Sequence, residues 1–289
     1  MEWDKEAIEL HELLPIPPNV SIFARKQAEK HARRKDKSRV TVKEVQETEE
    51  AYATHFGREK TQEMKNVQEG KEPIPEMEDE LFFDASGMLY NLMVCPVKYG
   101  SQSKEVTEGI LSVFRGLKEI FERENMEQVI AGLSRTPLDQ SGCFTVVIDG
   151  CSNCCEPPFT RDLGIVGQHI PELTDGKCLQ CGKCIDVCYE DAITLEADGP
   201  VFNREKCINC EFCAKSCPGE KIVIGKRGYK LIAGGRNYRH PAIAKTVIEC
   251  TDREGVLATA EKIVSLLKKG KEGDTLKSLI EEHGIEVIQ

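Results

Sequence analysis

Two runs of cysteines share one spacing. "KCLQCGKCIDVC", residues 177–188, sets Cys178, Cys181, Cys184 and Cys188 at C-x2-C-x2-C-x3-C, and "KCINCEFCAKSC", residues 206–217, repeats it with Cys207, Cys210, Cys213 and Cys217. Three thiolates from one tight loop can hold three irons of a cubane cluster, while the remote fourth cysteine reaches across to the other cluster. The spacing therefore assigns Cys178, Cys181, Cys184 and Cys217 to one [4Fe–4S] cluster, and Cys207, Cys210, Cys213 and Cys188 to a second. Zinc is the competing reading, because four thiolates also suit it, but zinc sites usually present two separated C-x2-C knuckles. Two neighbouring clusters would pass single electrons onward, so the next question is what receives them.

Six further cysteines lie outside the runs: Cys95, Cys143, Cys151, Cys154, Cys155 and Cys250. Four of them fall in "GCFTVVIDGCSNCC", where a β-branched run ending in Asp-Gly reads as a strand that delivers Cys151 and Cys155 to a turn. At this point the chain resembles the sirohaem nitrite and sulfite reductases. "GCSNCC" and "RDLGIVG" match that family's cluster turn, and "AGGRNYRHPAIA", residues 233–244, is similar to its GG-[KR]-x-x-RHP stretch. Small and dissimilatory members also carry a ferredoxin module between these stretches, and Pro218 follows Cys217 as in bacterial ferredoxins.

The resemblance implies a third [4Fe–4S] cluster with Cys151 and Cys155 as ligands, Cys155 bridging to sirohaem. It also implies reduction of a small oxyanion. The chain departs from the family at the other ligand pair: "NLMVCPVKYGSQS" has Asn91 and Val97 where cysteines are expected, with Cys95 between them. A four-thiolate set can still be drawn from Cys95, Cys143, Cys151 and Cys155, with Cys154 as a substitute; Cys143 would need a fold-back to share the site. Cys250, ending the apolar "KTVIEC", reads as a buried free thiol. Sirohaem is a polycarboxylate, and burying such an anion demands paired cations. Arg161, Lys226, Arg227, Arg236, Arg239 and His240 are the candidates for that clamp; ordinary surface charge beside a glycine turn is the alternative.

These residues need elements to position them. "SIFARKQAEKHARRKDK" puts Ala24, Ala28 and Ala32 at helical spacing, and "TVKE" places Glu44 three residues after Thr41 as a capping box for a second helix ending at Gly57. This segment resembles, more weakly, the small helical domain of one subunit of light-independent protochlorophyllide reductase, which implies docking near a tetrapyrrole or a redox partner. His31, among alanines and arginines, reads as a helix-surface histidine rather than an axial ligand. Residues 58–80 are almost wholly polar and read as a linker. A core-facing helix follows in "EVTEGILSVFRGLKEIFERE". "KIVIGKRGYKLIAGG" reads as a hairpin about "GKRG", and the tail as two helices, one stopped by Gly270 and one capped by Asp274.

The expected fold is α+β: a small helical domain over 1–57, a linker over 58–80, and a nitrite/sulfite reductase-like α/β half over 81–175 plus 220–289. A bacterial-type ferredoxin domain over 176–219 is inserted in that half.

With 39 basic against 49 acidic side chains the chain is a poor nucleic-acid binder. No apolar run is long enough to span a membrane, and the acidic start is unlike a signal peptide, so the expectation is a cytoplasmic protein with reduced, metal-bound cysteines. Two functions stay open. One is a sirohaem-dependent reductase of a small oxyanion; the other is a sirohaem-free electron-transfer subunit that docks on a redox partner protein or a related subunit in an oligomer or complex.

Overall fold

The computed structural model describes residues 1–12, 18–56, 66, 71, 89–95, 104–134, 143–237 and 240–289. The expected linker, the "PVKYG" stretch and Arg239 lie outside the described residues, apart from Asn66 and Lys71. The chain divides into two compact units: residues 1–76, 173–207 and 212–223 form the first, and residues 77–172, 208–211 and 224–289 the second.

In the first unit, strand β1 (Glu2–Trp3) pairs in parallel with β2 (Arg39–Val40), and helices α1 (Lys5–Glu12), α2 (Pro18–Arg34) and α3 (Val42–Phe56) surround a small core. Ala7, Ala28, Ala32, Val40 and Val45 fill it, so the four-residue alanine spacing does mark the buried stripe of α2. Small residues let α2 and α3 approach closely. Glu44 caps α3 by accepting from the Thr41 backbone N–H at 3.1 Å and from its hydroxyl at 2.6 Å.

The same unit holds the ferredoxin-type elements: α6 (Lys183–Asp186), the hairpin of β6 (Ile193–Glu196) and β7 (Gly199–Phe202), and α7 (Phe212–Ser216). Cys184, Cys213, Ile193 and Ile222 form their apolar centre. Within this unit α3 packs against α7.

The second unit is built on a five-stranded sheet of order β3-β4-β5-β8-β9, with β3 (Tyr90–Val94), β4 (Phe144–Asp149), β5 (Leu163–Leu173), β8 (Ile222–Ala233) and β9 (Lys245–Thr251). β3, β4 and β5 run parallel, and β9 is antiparallel to β8. The return from β3 to β4 passes through α4 (Lys104–Arg123) and α5 (Met126–Leu133), a βαβ crossover. Ile110, Val113, Leu117 and Phe121 of α4 pack with Val256, Ala260 and Ile263 of α8 (Arg253–Leu267) and with the sheet residues Leu92, Val146 and Ile148. β4 is buried at all six positions, as a central strand must be.

Two local expectations are corrected. β8 runs unbroken through "GKRG" instead of turning there. Its glycines serve close approach: a Cβ on Gly228 would stand 2.5 Å from the Thr251 carbonyl oxygen, and one on Gly225 would run into Glu172. The last helix, α9 (Leu276–His283), is capped by Thr275 and Ser278 in a reciprocal box, while Asp274 accepts from the Lys271 N–H.

Candidate metal centres and the charged residues around them

The first cysteine run folds as a tight loop. Gly182 at φ +74° opens the short α6, which carries Cys184 inward, and Gln180 takes φ +53° so that its N–H points at the Cys178 sulfur at 3.4 Å. Asn209 (φ +57°) and Glu211 (φ +66°) hold the corresponding places in the second run, so the sequence repeat is also a backbone repeat. Left-handed backbone at non-glycine residues is strain held by the surrounding fold, and it clusters where chemistry needs it.

Cys178, Cys181, Cys184 and Cys217 line one cavity of about 20 Å³, walled by Leu195, Pro200 and Ile222. This is the set that the spacing groups together. Burial, and then the neighbouring Cys217, push the Cys184 thiol up to about 11. In the first unit Cys188 takes an N–H···S hydrogen bond from Ala192 at 3.2 Å, and Cys213 is buried in the same apolar centre. In the second unit, Cys210 bridges to His169 of β5, and Asn209 donates to the Gln168 side chain at 2.9 Å.

A further group of thiols gathers at the carboxyl ends of β3 and β4, the edge where open α/β sheets bind ligands. Cys95 follows β3 directly and ties its N–H to Ile148 of β4 at 2.9 Å; Cys151 follows the Asp149–Gly150 end of β4. The next turn brings back Cys154, at φ +49°, and Cys155, whose sulfur accepts from Asn153 at 3.0 Å. Burial raises the Cys95 thiol well above its ordinary range, and Asp149, Cys155 and Cys151 add to the rise. The same causes push Cys154 up to about 12, and burial lifts Asp149 itself to about 7.

Cys95, Cys154 and Asp149, crowded together and desolvated, resist ionisation, and cationic iron is what would make such thiolates favourable. Thiolates are the ligands a cluster would need here, while among the described residues no three such groups are already arranged to hold a metal ion. Cys154, which the sequence offers as a substitute ligand, lies in this group; Asp149 is not singled out from the sequence, and its only signal there is its place in the Asp-Gly turn.

Cys143 does not join this group. It precedes β4 at the amino-terminal edge of the sheet, where Asn91 donates to its sulfur at 3.1 Å, and burial pushes its thiol up to about 11. β4 separates it from Cys151, and no fold-back occurs. Cys250 is half-buried against Gly228 of the neighbouring strand.

The expected cationic clamp also divides. Arg161 and Arg236 line a cavity of about 20 Å³ with Cys143, Thr145, the half-buried Asp162 and Lys277, away from the cysteine edge. Burial lifts the Asp162 carboxyl to about 7, against the pull of the Thr145 N–H and the two arginines. Arg227 lines a different hollow of about 230 Å³ with Gly150, Gly167, His169 and Tyr229, and it pairs with Glu105 at 3.0 Å. Lys226 and His240 are exposed, and Arg239 lies outside the described residues. Among the described residues, these side chains do not converge on one macrocycle, so the set drawn from the sequence does not fit sirohaem.

His31 is buried rather than on the surface. It sits between Asp186, at 3.7 Å, and Glu47, at 3.9 Å, and burial keeps its pKa below the usual histidine value. Among the described residues, no helix is long and apolar enough to cross a membrane.

Residues 177–221 match the model of the 4Fe-4S dicluster domain. An uncharacterized ferredoxin of Methanocaldococcus jannaschii is 32% identical over 108 residues, which are 36% of this chain and 70% of that protein. The coenzyme F420-dependent sulfite reductase of the same organism is 35% identical over 96 residues, 33% of this chain; the chain spans only 16% of that enzyme's length. A crystal structure of dissimilatory sulfite reductase I shares 17% identity over 50% of this chain and 41% of its own, at a TM-score of 0.37, too low to argue a common fold.

Proposed function

This chain belongs to the 4Fe–4S ferredoxins, iron–sulfur electron-transfer proteins, and from that premise we propose that it is a sirohaem-free electron-transfer subunit with three cubane clusters. Cys178, Cys181, Cys184 and Cys217 hold the first, and Cys207, Cys210, Cys213 and Cys188 the second. Cys95, Cys151, Cys154 and Cys155 hold the third. The observation that carries the reading is the gathering of these last four thiols at the carboxyl edge of the sheet, with Arg161 and Arg236 at the other edge.

Bound clusters supply one-electron transfer. The chain's own residues do the rest: the left-handed turns aim sulfurs inward, N–H groups of Gln180 and Ala192 and the amide of Asn153 donate to sulfurs, and the apolar centre excludes water. Hydrogen bonds to sulfur and low exposure are among the levers that set a cluster's potential. The oxyanion-reductase reading rests on the motif resemblance and on a relative of which the chain spans a small part.

The test is anaerobic purification with iron, acid-labile sulfide and tetrapyrrole measured together. About twelve irons with a matching amount of sulfide and no tetrapyrrole is the expected result. About eight irons would remove the third cluster, and a stoichiometric extractable tetrapyrrole would overturn the sirohaem-free reading.

A further inference from the structure

One face of α2 grips the segment that carries Cys188. Residues 27, 30, 31 and 34 recur at three- and four-residue intervals, so they share a stripe of the helix. Gln27 donates to the Asp186 carbonyl at 2.9 Å, and Lys30 donates to the Cys188 carbonyl at 3.4 Å while pairing with Asp191 at 2.8 Å. Arg34 pairs with the Asp186 carboxylate at 2.6 Å and donates to the Ile185 carbonyl at 3.1 Å. His31, buried to 3% side-chain exposure, lies against Asp186, and on the following helix Glu50 pairs with Lys183 at 3.1 Å. All of these residues belong to the first unit.

These contacts are more specific than a docking interface requires. They end on backbone carbonyls at Ile185, Asp186 and Cys188, and they pair Asp186 and Asp191, two of the three carboxylates near the cysteine. Reduction adds one negative charge to a cluster. A cation close to a cluster's ligand segment therefore favours the reduced form, and an unpaired carboxylate there opposes it. The sequence reads the basic N-terminal helices as a docking element; in the structure Lys30 and Arg34 of α2 engage the chain's own ferredoxin-type elements.

We propose that Lys30 and Arg34 of α2 raise the reduction potential of the cluster to which Cys188 belongs, so that the N-terminal helical segment directs electrons toward that cluster. The two side chains act as positioning residues through the Cys188 segment and touch no iron. The inference rests on the assignment of clusters to the two cysteine runs.

The test is an anaerobic potentiometric titration of the full chain with dithionite as reductant, followed by electron paramagnetic resonance, with iron counted in every sample. Lys30→Met with Arg34→Gln removes two positive charges and keeps side-chain bulk. The expected result is a downward displacement of about 59 mV, a tenfold change for a one-electron couple, in the couple to which Cys188 belongs, a smaller one in the couple of Cys184, which Ile185 and Asp186 adjoin, and an unchanged third couple and iron content. Asp191→Asn removes a negative charge from the same place and should move the same couple upward.

Opposite signs are what electrostatics demands and what simple loosening of the interface cannot give. Unchanged potentials in both variants, or shifts of the same sign, overturn the proposal. If the double variant loses iron, Lys30→Met alone is compared with Asp191→Asn by the same criterion. Wild-type protein lacking the eight irons of the two runs would instead bring down the cluster assignment, and the inference with it.

Discussion

Gly167→Ala tests whether the packing of β4 on β5 holds the third cysteine group in place. A Cβ at residue 167 would lie 2.2 Å from the Gly150 carbonyl oxygen, 2.6 Å from its carbon and 3.2 Å from the Cys151 nitrogen. All three are backbone atoms, so no rotamer change relieves the clash. Carbon contacts favour about 3.5 Å, so the strands must part by roughly 1 Å at the point where β4 delivers Cys151. Overpacking of this kind costs about 1–3 kcal/mol. For a unit of this size that lowers Tm by roughly 3–10 °C.

The same displacement moves the turn bearing Cys151, Cys154 and Cys155, so iron should fall from about twelve toward about eight per chain. Gly132→Ala is the control: nothing lies within 4 Å of a Cβ at that exposed place in α5, and helix propensity should add about 0.5–1 kcal/mol. Both variants are read by anaerobic thermal unfolding and an iron assay. A Gly167→Ala protein with wild-type Tm and full iron would refute the argument.

Two further outcomes follow from the site and from the helical segment. Cys95→Ser and Cys155→Ser should each lower iron by about four atoms per chain, whereas Cys143→Ser should leave it unchanged; an iron assay that groups Cys143 with the other two would reinstate it as a ligand. Glu44 is fully buried, and although burial alone would raise its pKa, hydrogen bonds from Thr41 and Lys37 hold it down at about 2. A depressed carboxylate stabilises the fold fully above its unfolded value near about 4.3, and that contribution is lost as pH falls toward 2. Glu44→Gln should therefore cost about 1.5–3 kcal/mol at neutral pH and flatten the loss of stability between those pH values, as read by denaturant titrations across the range.

The two four-cysteine runs were legible because most of their chemistry is local. Three ligands come from a single loop, and spacing along the chain nearly fixes their spacing in space. The alanine stripe of α2, the Thr41–Glu44 cap and the core face of α4 were legible for the same reason, since each depends on residues three or four apart. Short-range rules failed where a distant backbone decided the outcome. "GKRG" carries the glycines of a turn, yet Gly228 is needed because β9 approaches β8 closely there. Thr275 replaced Asp274 as a cap because Ser278 could return the hydrogen bond.

The third cysteine group depended on tertiary structure throughout. Cys95 meets Cys151 because β3 and β4 are parallel neighbours, with Val94 beside Ile148, a register that no spacing in the sequence reveals. Cys143 is closer to Cys151 in sequence and is excluded by the length of the strand between them. The arginines that looked like one clamp were sorted to different places by the direction in which each strand enters or leaves the sheet. Residue type and spacing determined that this chain carries iron–sulfur clusters; that Cys95 lies beside the Cys151 turn and that α2 lies against the Cys188 segment was decided only by tertiary structure, because those contacts join residues more than fifty positions apart.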